Sequence, residues 1–139
     1  MGGANQAILV ALFRAAVGAV APGDLVRRHL VRSGDGVAIV RGGRALMRLD
    51  HGAMHLVAAG KAASGMALAA ASVLGGRLAG GVAVAPEMPR GLPRRIRCFA
   101  ARHPLPDHGS LRAGRAAWEM LGRLGPDDGV LVLLSGGAS

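Results

Sequence analysis

Lys61 is the single lysine among 17 basic residues. It follows the apolar run HLVAA and Gly60, and it precedes an Ala-rich segment with the composition of a helix. A lysine at a helix start adds a compact positive charge to backbone N–H groups that already favour an anion, whereas arginine would present a planar fork. A surface lysine is the alternative, but a cation there opposes the helix dipole. We therefore interpret Lys61 as a phosphate contact, although the Walker A pattern GxxxxGK[ST] is absent.

Two interpretations are open for the segment HPLPDHGS at residues 103–110. Asp107 or Ser110 caps a following helix, and the two prolines fix the backbone before it. Alternatively, His103 or Asp107 faces a hydroxyl group or a metal ion in a rigid substrate loop. The spacing does not separate the two, because a good helix cap and a good anion site need the same geometry.

The last apolar run of the sequence leads into a Gly/Ser stretch, LLSGGAS. Gly136 and Gly137 allow successive backbone N–H groups to surround an anion, and Ser135 and Ser139 add hydroxyl groups. A nucleophilic serine is the rival interpretation, but the pattern GxSxG is absent. Because a strand and its loop seldom finish a fold, we expect this chain to be part of a longer protein.

The three segments follow strands in a predicted α/β layout. From residue 55 the elements alternate as strand HLVAA, helix AASGMALAAASVL, strands GVAVA and IRCFAA, helix LRAGRAAWEMLGRL and strand GVLVLL. Such alternation is typical of a Rossmann-like layered domain, in which helices cover both faces of a mostly parallel sheet. Ligands of such sheets bind outside the carboxyl ends of the strands. The three segments therefore predict one site at that edge.

The first third of the chain predicts a structure that leads into this sheet. Larger apolar residues recur at helical spacing over residues 4–20, and APGD ends that helix. The sequence LVRRHLVR, residues 25–32, predicts a further turn or two of helix. The pair Gly42 and Gly43 between two short β-prone runs predicts a tight β-hairpin.

Charge and composition narrow the choice of partners. A net charge of +9 is compatible with nucleic-acid binding, but the arginines are scattered and the aromatic content is 2%. We favour a solvated basic surface that attracts small anions, and we do not expect a nucleic-acid partner. The densest basic run, PRGLPRRIR, supports the alternative hypothesis of a nucleic-acid-binding module, with the residues Arg90, Arg94, Arg95 and Arg97.

The lone cysteine, Cys98, rules out an internal disulfide and indicates a reducing compartment. We expect it to be a core residue. The cysteine and the scattered histidines lack the spacing of zinc ligands, and we predict no metal ligands in the chain. No stretch predicts a transmembrane or secretory segment, so we expect a cytoplasmic protein without a membrane partner.

Together, GKAASGMA, HPLPDHGS and LLSGGAS resemble, in order and spacing, the N-terminal domain of the glycerate 2-kinase family. These are ATP-dependent kinases that have often been labelled hydroxypyruvate reductases. The resemblance covers essentially the whole chain. It implies a longer two-domain enzyme with its active site in the cleft between the domains, glycerate and a nucleotide as small-molecule partners, and ATP and Mg²⁺ as cofactors. Residues 1–139 would be an incomplete N-terminal domain, inactive by itself.

The resemblance also implies roles for single residues. Lys61 matches a lysine of phosphoryl transfer. The positions that match phosphate- or substrate-binding segments are Gly60, His103, Asp107, Ser135, Gly136, Gly137 and Ser139. A reductase using a nicotinamide cofactor is the other enzyme hypothesis, but no GxGxxG follows a strand. The sequence leaves open the preferred nucleotide, the hydroxyl that is phosphorylated and whether the protein is a homo-oligomer.

Overall fold

A computed structural model describes residues 2–50, 52–87 and 90–136. In chain order the elements are α1 (Gly2–Ala19), α2 (Pro22–His29), β1 (Leu30–Ser33), β2 (Gly36–Arg41), β3 (Arg44–Leu49), β4 (Met54–Ala59), α3 (Ala63–Leu74), a 3₁₀ turn (Gly75–Arg77), β5 (Leu78–Ala85), β6 (Ile96–Ala100), α4 (His108–Leu121) and β7 (Gly129–Leu134). The alternation of strands and helices that the sequence predicts from residue 55 is confirmed.

The larger sheet has four parallel strands in the order β6-β5-β4-β7. Its central strand β4 buries Met54, Leu56 and Ala58 completely, and Leu78 of β5 is also fully buried. Apolar side chains at alternate positions of β4 explain why one face of this strand forms the centre of the core. The predicted α/β class with a mostly parallel sheet is therefore confirmed, as are the N-terminal helix and the hairpin before it.

Helix α3 covers one face of this sheet with alanines. Ala63, Ala67 and Ala70 are fully buried, and such small side chains let the helix axis approach the strands closely. Gly65 of the same helix lies beside α2: a Cβ built there would be 3.8 Å from the Cβ of Pro22. Gly65 therefore serves the contact between two helices.

Helix α4 covers part of the opposite face. Ala113 and Ala116 pack with Val82 to form a small second core, which Val84 and Phe99 extend. Helix α4 packs on β5 and β6. On the outer strand β7, the side chains of Val132 and Leu134 are exposed.

A three-stranded antiparallel sheet, β1-β2-β3, precedes the parallel one. Gly42 and Gly43 form the two-residue turn between β2 and β3 with φ of 56° and 76°, which confirms the predicted hairpin. The prediction of helix over residues 25–32 is correct only as far as His29. Leu30 is buried and pairs with Ile39 in the antiparallel sheet, so tertiary pairing overrides the local helical pattern.

Helix α1 exposes apolar side chains, among them Ile8, Leu9, Leu12 and Phe13. In the described part of the chain, no single helix is long and apolar enough to cross a membrane. The helical segments Asn5–Ala19 and Pro22–His29, which are bent by 43° relative to each other, are together long and apolar enough by length and composition alone.

Candidate functional site

The loop after β4 depends on a glycine. Gly60 has a φ of +111°, a conformation that residues with a side chain rarely adopt. A Cβ at this position would overlap the Oγ atom of Ser135 and would lie 2.7 Å from the Ser135 carbonyl oxygen. Gly60 therefore allows the loop after β4 and the loop after β7 to touch, although 75 positions separate the two residues.

Hydrogen bonds join the same two loops. The backbone N–H of Lys61 donates to the Gly136 carbonyl oxygen at 3.2 Å, and the N–H of Ala62 donates to Ser135 Oγ at 3.0 Å. The prediction that backbone N–H groups at this helix start are free to receive an anion is wrong for these two groups. The loop after β7 supplies their acceptors, so an anion would meet the Lys61 side chain rather than these two donors.

The side chain of Lys61 is exposed. Among the described residues, no carboxylate lies within 4.0 Å of its ammonium group. The lysine therefore offers an uncompensated positive charge beside a loop whose backbone is fixed by Gly60 and Ser135. Such a charge attracts the oxygens of a phosphate or a carboxylate.

The loop after β7 is described only as far as Gly136. Ser135 donates its backbone N–H to the Ala59 carbonyl oxygen at 3.0 Å, which continues the pairing of β7 with β4. Gly137 and Ser139, two of the predicted phosphate contacts, lie outside the described residues. Their part in an anion-binding backbone nest stays a prediction.

The loop before α4 is fixed by a helix cap. Asp107 Oδ1 accepts the backbone N–H of Ser110 at 3.0 Å, and Ser110 Oγ accepts the backbone N–H of Asp107 at 3.3 Å. The Ser110 N–H is the main reason that the pKa of Asp107 lies below its usual value. Of the two interpretations of this segment, the structure shows the cap for Asp107.

A cavity of about 290 Å³ lies at the carboxyl ends of the strands, between the loop after β4 and the loop before α4. Gly60 and His103 both line it, so these two predicted site residues come together. Lys61 and Asp107 are not among its lining residues. Arg102 and Ser110 add polar side chains to the wall, and the strands supply an apolar floor.

A fourth loop, after β5, also reaches this edge of the sheet. Pro86 lines the cavity, and Ser64 Oγ of α3 donates to the Glu87 carbonyl oxygen at 3.2 Å. Neither this loop nor Arg102 is among the site residues predicted from the sequence. The strand GVAVA followed by PEMPRGLP was the available signal for the loop, because every parallel strand delivers its following loop to the same edge.

Cys98 is half-buried and packs against the main core, as the sequence predicts. Burial raises the pKa of its thiol, which disfavours the reactive thiolate. Within the described ranges, no group of three or more His, Cys, Asp or Glu side chains is placed to hold a metal ion.

Two arginines of the basic run PRGLPRRIR, the alternative nucleic-acid surface, make contacts within the molecule. Arg95 donates to the Leu78 carbonyl oxygen at 2.7 Å. Arg97 lies 3.6 Å from a Glu119 carboxylate oxygen and 5.5 Å from the centre of the Phe99 ring. These contacts do not test nucleic-acid binding, but they show that two of the four arginines have intramolecular partners.

Known proteins resemble this chain over most of its length. A family model described as "Domain of unknown function (DUF4147)" matches residues 8–139. A glycerate kinase of Rattus norvegicus is 36% identical over 92% of this chain, and a D-glycerate 2-kinase of Thermotoga maritima is 39% identical over 68% of it. The crystal structure of the PH0495 protein from Pyrococcus horikoshii superposes with a TM-score of 0.75 and 32% identity over 95% of this chain.

The chain spans about a quarter of the length of these proteins: 27% of the rat protein, 23% of the Thermotoga protein and 29% of the Pyrococcus chain. The resemblance carried by three short motifs therefore extends over almost all of the chain. The family model and these relatives show that the chain belongs to the glycerate 2-kinase family.

Proposed function

We propose that the protein containing this chain transfers the γ-phosphoryl group of ATP to a hydroxyl group of glycerate, and that residues 1–139 supply one side of the active site. The names of the relatives, glycerate kinase and D-glycerate 2-kinase, support the substrate and the reaction class. The γ-phosphorus forms a bond to the glycerate oxygen, its bond to the ADP oxygen breaks, and the hydroxyl proton is released.

One observation carries the proposal for this chain. The ammonium group of Lys61 is exposed and without a described acidic partner, on a loop that contacts between Gly60 and Ser135 hold in place. Phosphoryl transfer depends mainly on positioning and on neutralising charge that spreads over the phosphoryl oxygens. A lysine suits this task because its compact charge follows an oxygen as it moves.

We assign the cavity between the loops to glycerate. His103 and Arg102 line it, and both can bind a carboxylate or a hydroxyl group. Asp107 acts through its cap, which fixes the direction of the loop that carries His103. Gly136, with Gly137 and Ser139, is proposed to contact phosphate oxygens.

Mg²⁺ belongs to the proposal on general grounds, because phosphoryl transfer from ATP uses it to neutralise the phosphates. The described residues offer no cluster of carboxylates for this ion. Mg²⁺ is commonly held by substrate phosphates and by one or two carboxylates. We therefore assign it no ligand in this chain and derive no step through it.

We further propose that residues 1–139 form an incomplete N-terminal domain and that a C-terminal domain completes the cleft. The share of the rat relative that this chain spans, 27%, supports this division. On this account the isolated 139-residue chain has no turnover. The single cysteine supports a cytoplasmic location.

The test is ADP release in the protein encoded by the reading frame that contains this chain. It would be assayed with ATP, Mg²⁺ and D-glycerate, beside lactate as a hydroxy acid with one hydroxyl fewer. We expect ADP release that depends on glycerate, and little release with lactate. The isolated 139-residue chain, assayed in parallel, measures whether this part acts alone.

The same preparation with hydroxypyruvate and a reduced nicotinamide tests the reductase alternative. Oxidation of the nicotinamide without glycerate-dependent ADP release would replace the kinase proposal with an oxidoreductase. If neither reaction occurs and the protein binds nucleic acid with a steep dependence on salt, the basic module would replace both.

A further inference from the structure

A second cavity, of about 270 Å³, lies at the amino ends of the parallel strands, opposite the loops described above. Its charged and titratable lining residues are His55, Arg95, Arg97, Glu119, Arg123 and Asp128. Three arginines face two carboxylates, so the wall has a formal excess of positive charge before the histidine is counted. The proposed reaction does not use this cavity, although Arg95 and Arg97 of the basic run PRGLPRRIR line it.

Both carboxylates of this cavity already have partners. Glu119 lies 3.6 Å from Arg97, and Asp128 accepts the backbone N–H of Gly125 at 2.8 Å. Among the described residues, no carboxylate oxygen lies within 4.0 Å of a side-chain nitrogen of Arg95 or Arg123. Arg95 donates one of its five N–H groups to a neutral acceptor, the Leu78 carbonyl oxygen, at 2.7 Å.

Arg123 has no hydrogen bond or ion pair from its side chain to the described residues. Arg123 lies just beyond the end of α4, and its backbone N–H donates to the Met120 carbonyl oxygen. This end of a helix favours a cation and opposes an anion, so the guanidinium groups have to outweigh that field. Two guanidinium groups thus line the cavity without a direct ion pair to a described carboxylate, and the cavity keeps a formal excess of one positive charge.

His55 gives the cavity a polar floor. Its Nδ1 atom is buried and has no hydrogen-bond partner among the described residues. Gly80, which also lines the cavity, lies beside this nitrogen: a Cβ built on Gly80 would lie 3.5 Å from it. A buried polar atom without a partner is costly, so a ligand that pairs with Nδ1 gains from that contact.

We propose that this cavity binds a compact phosphate dianion, either free phosphate or the phosphoryl group of a small phosphomonoester. Arg95 and Arg123 bind its oxygens, and His55 contacts the oxygen that reaches the floor. A phosphate dianion carries about two charges and has oxygens for both guanidinium groups, whereas a carboxylate has one charge and only two oxygens, which favours phosphate. The volume lies at the lower limit of ligand pockets, so the cavity suits a small ion and is too small for a nucleotide.

The test is calorimetric titration of the intact protein with inorganic phosphate, with glycerol 3-phosphate as the phosphomonoester and acetate as the carboxylate. All titrations use a Lys61→Ala background, which removes the main cation of the other end of the sheet. We expect phosphate or glycerol 3-phosphate to bind and acetate to bind at least about tenfold more weakly. The tighter of the two phosphate probes identifies the source of the ligand.

Three variants locate the binding. Arg123→Gln removes a side chain without described contacts, so it should fold normally and weaken phosphate binding at least about tenfold. Gly80→Ala places a methyl group beside His55 Nδ1 and should weaken phosphate binding as well. Arg112→Gln, an exposed arginine of α4 outside the cavity, is the matched control and should not change it.

Unfolding midpoints without phosphate verify that each variant is folded. The proposal is overturned if no phosphate binding remains in the Lys61→Ala background. It is equally overturned if folded Arg123→Gln and Gly80→Ala variants bind phosphate as tightly as the Arg112→Gln control.

Discussion

The two ends of the parallel sheet are built in different ways. At the carboxyl ends, backbone groups and one hydroxyl fix the loops: Gly60 meets Ser135, and Lys61 donates its N–H to Gly136. At the amino ends, long charged side chains such as Arg95 and Arg123 form the wall of the cavity. Backbone contacts position groups precisely, as group transfer requires. Flexible side chains suit the binding of a charge that need not be aligned for reaction.

This comparison predicts that the carboxyl end tolerates substitution less than the amino end. The largest effect on stability is expected for Gly60→Ala, because the new Cβ would overlap Ser135 and the backbone would keep a φ of +111°. Strain and overlap together should lower the free energy of unfolding by about 3 kcal/mol. Urea denaturation measures this value.

The matched glycine at the amino end is Gly80. Its added Cβ would make ordinary contacts, at 3.5 Å from His55 Nδ1, so Gly80→Ala should change the free energy of unfolding by less than about 1 kcal/mol. Equal losses for Gly60→Ala and Gly80→Ala would remove the distinction between the two ends.

A smaller loss is expected for Ser135→Ala. Its hydroxyl oxygen accepts the N–H of Ala62 at the start of α3, and removing such an acceptor costs about 1 kcal/mol. Ser72→Ala, an exposed position of the same helix, is the control and should change stability little. A cost for Ser135→Ala no larger than that of Ser72→Ala would mean that the contact does not hold the two loops together.

The smallest effect concerns the pH dependence of the cap at Asp107. Because the pKa of Asp107 is lowered in the folded state, chiefly by the Ser110 N–H, its ionised form stabilises the fold. This contribution is fully present above the unfolded value of about 3.8 and is lost as the pH falls through the lower folded pKa.

Urea midpoints of the wild-type chain and of Asp107→Asn, compared between pH 2 and pH 7, test this sign. The advantage of the wild type over the variant should shrink at the acidic end. An advantage that grows as the pH falls would show that the folded-state pKa of Asp107 is raised instead.

Local signals made much of the fold predictable from the sequence. The hairpin followed from Gly42 and Gly43, because a two-residue turn is specified by its own residues. The alternation of apolar strands and helices predicted the parallel sheet, because each strand and helix has a recognisable local pattern and this order of elements is typical of a parallel sheet. The strand at Leu30 could not be predicted locally, because its conformation depends on pairing with Ile39.

The separate loops of the site were predictable from the sequence, but the contacts that join them were not. The strand-end rule identified the loops with Gly60 and His103, which line one cavity. Nothing local indicates that Ser135 and Gly136 would occupy the N–H groups of Lys61 and Ala62, because these acceptors lie more than 70 positions away in the sequence.

The central claim is that phosphoryl transfer takes place at the carboxyl end of the sheet and that Lys61 neutralises charge on the phosphoryl oxygens. The most direct measurement is kcat for glycerate-dependent ADP release by the intact protein in Lys61→Ala and in Arg94→Ala. The second variant removes one exposed cation near the amino ends of the strands. We predict a loss of about 10²- to 10³-fold for Lys61→Ala and a change within about twofold for Arg94→Ala. Normal turnover in Lys61→Ala, or an equal loss in both variants, would contradict the account.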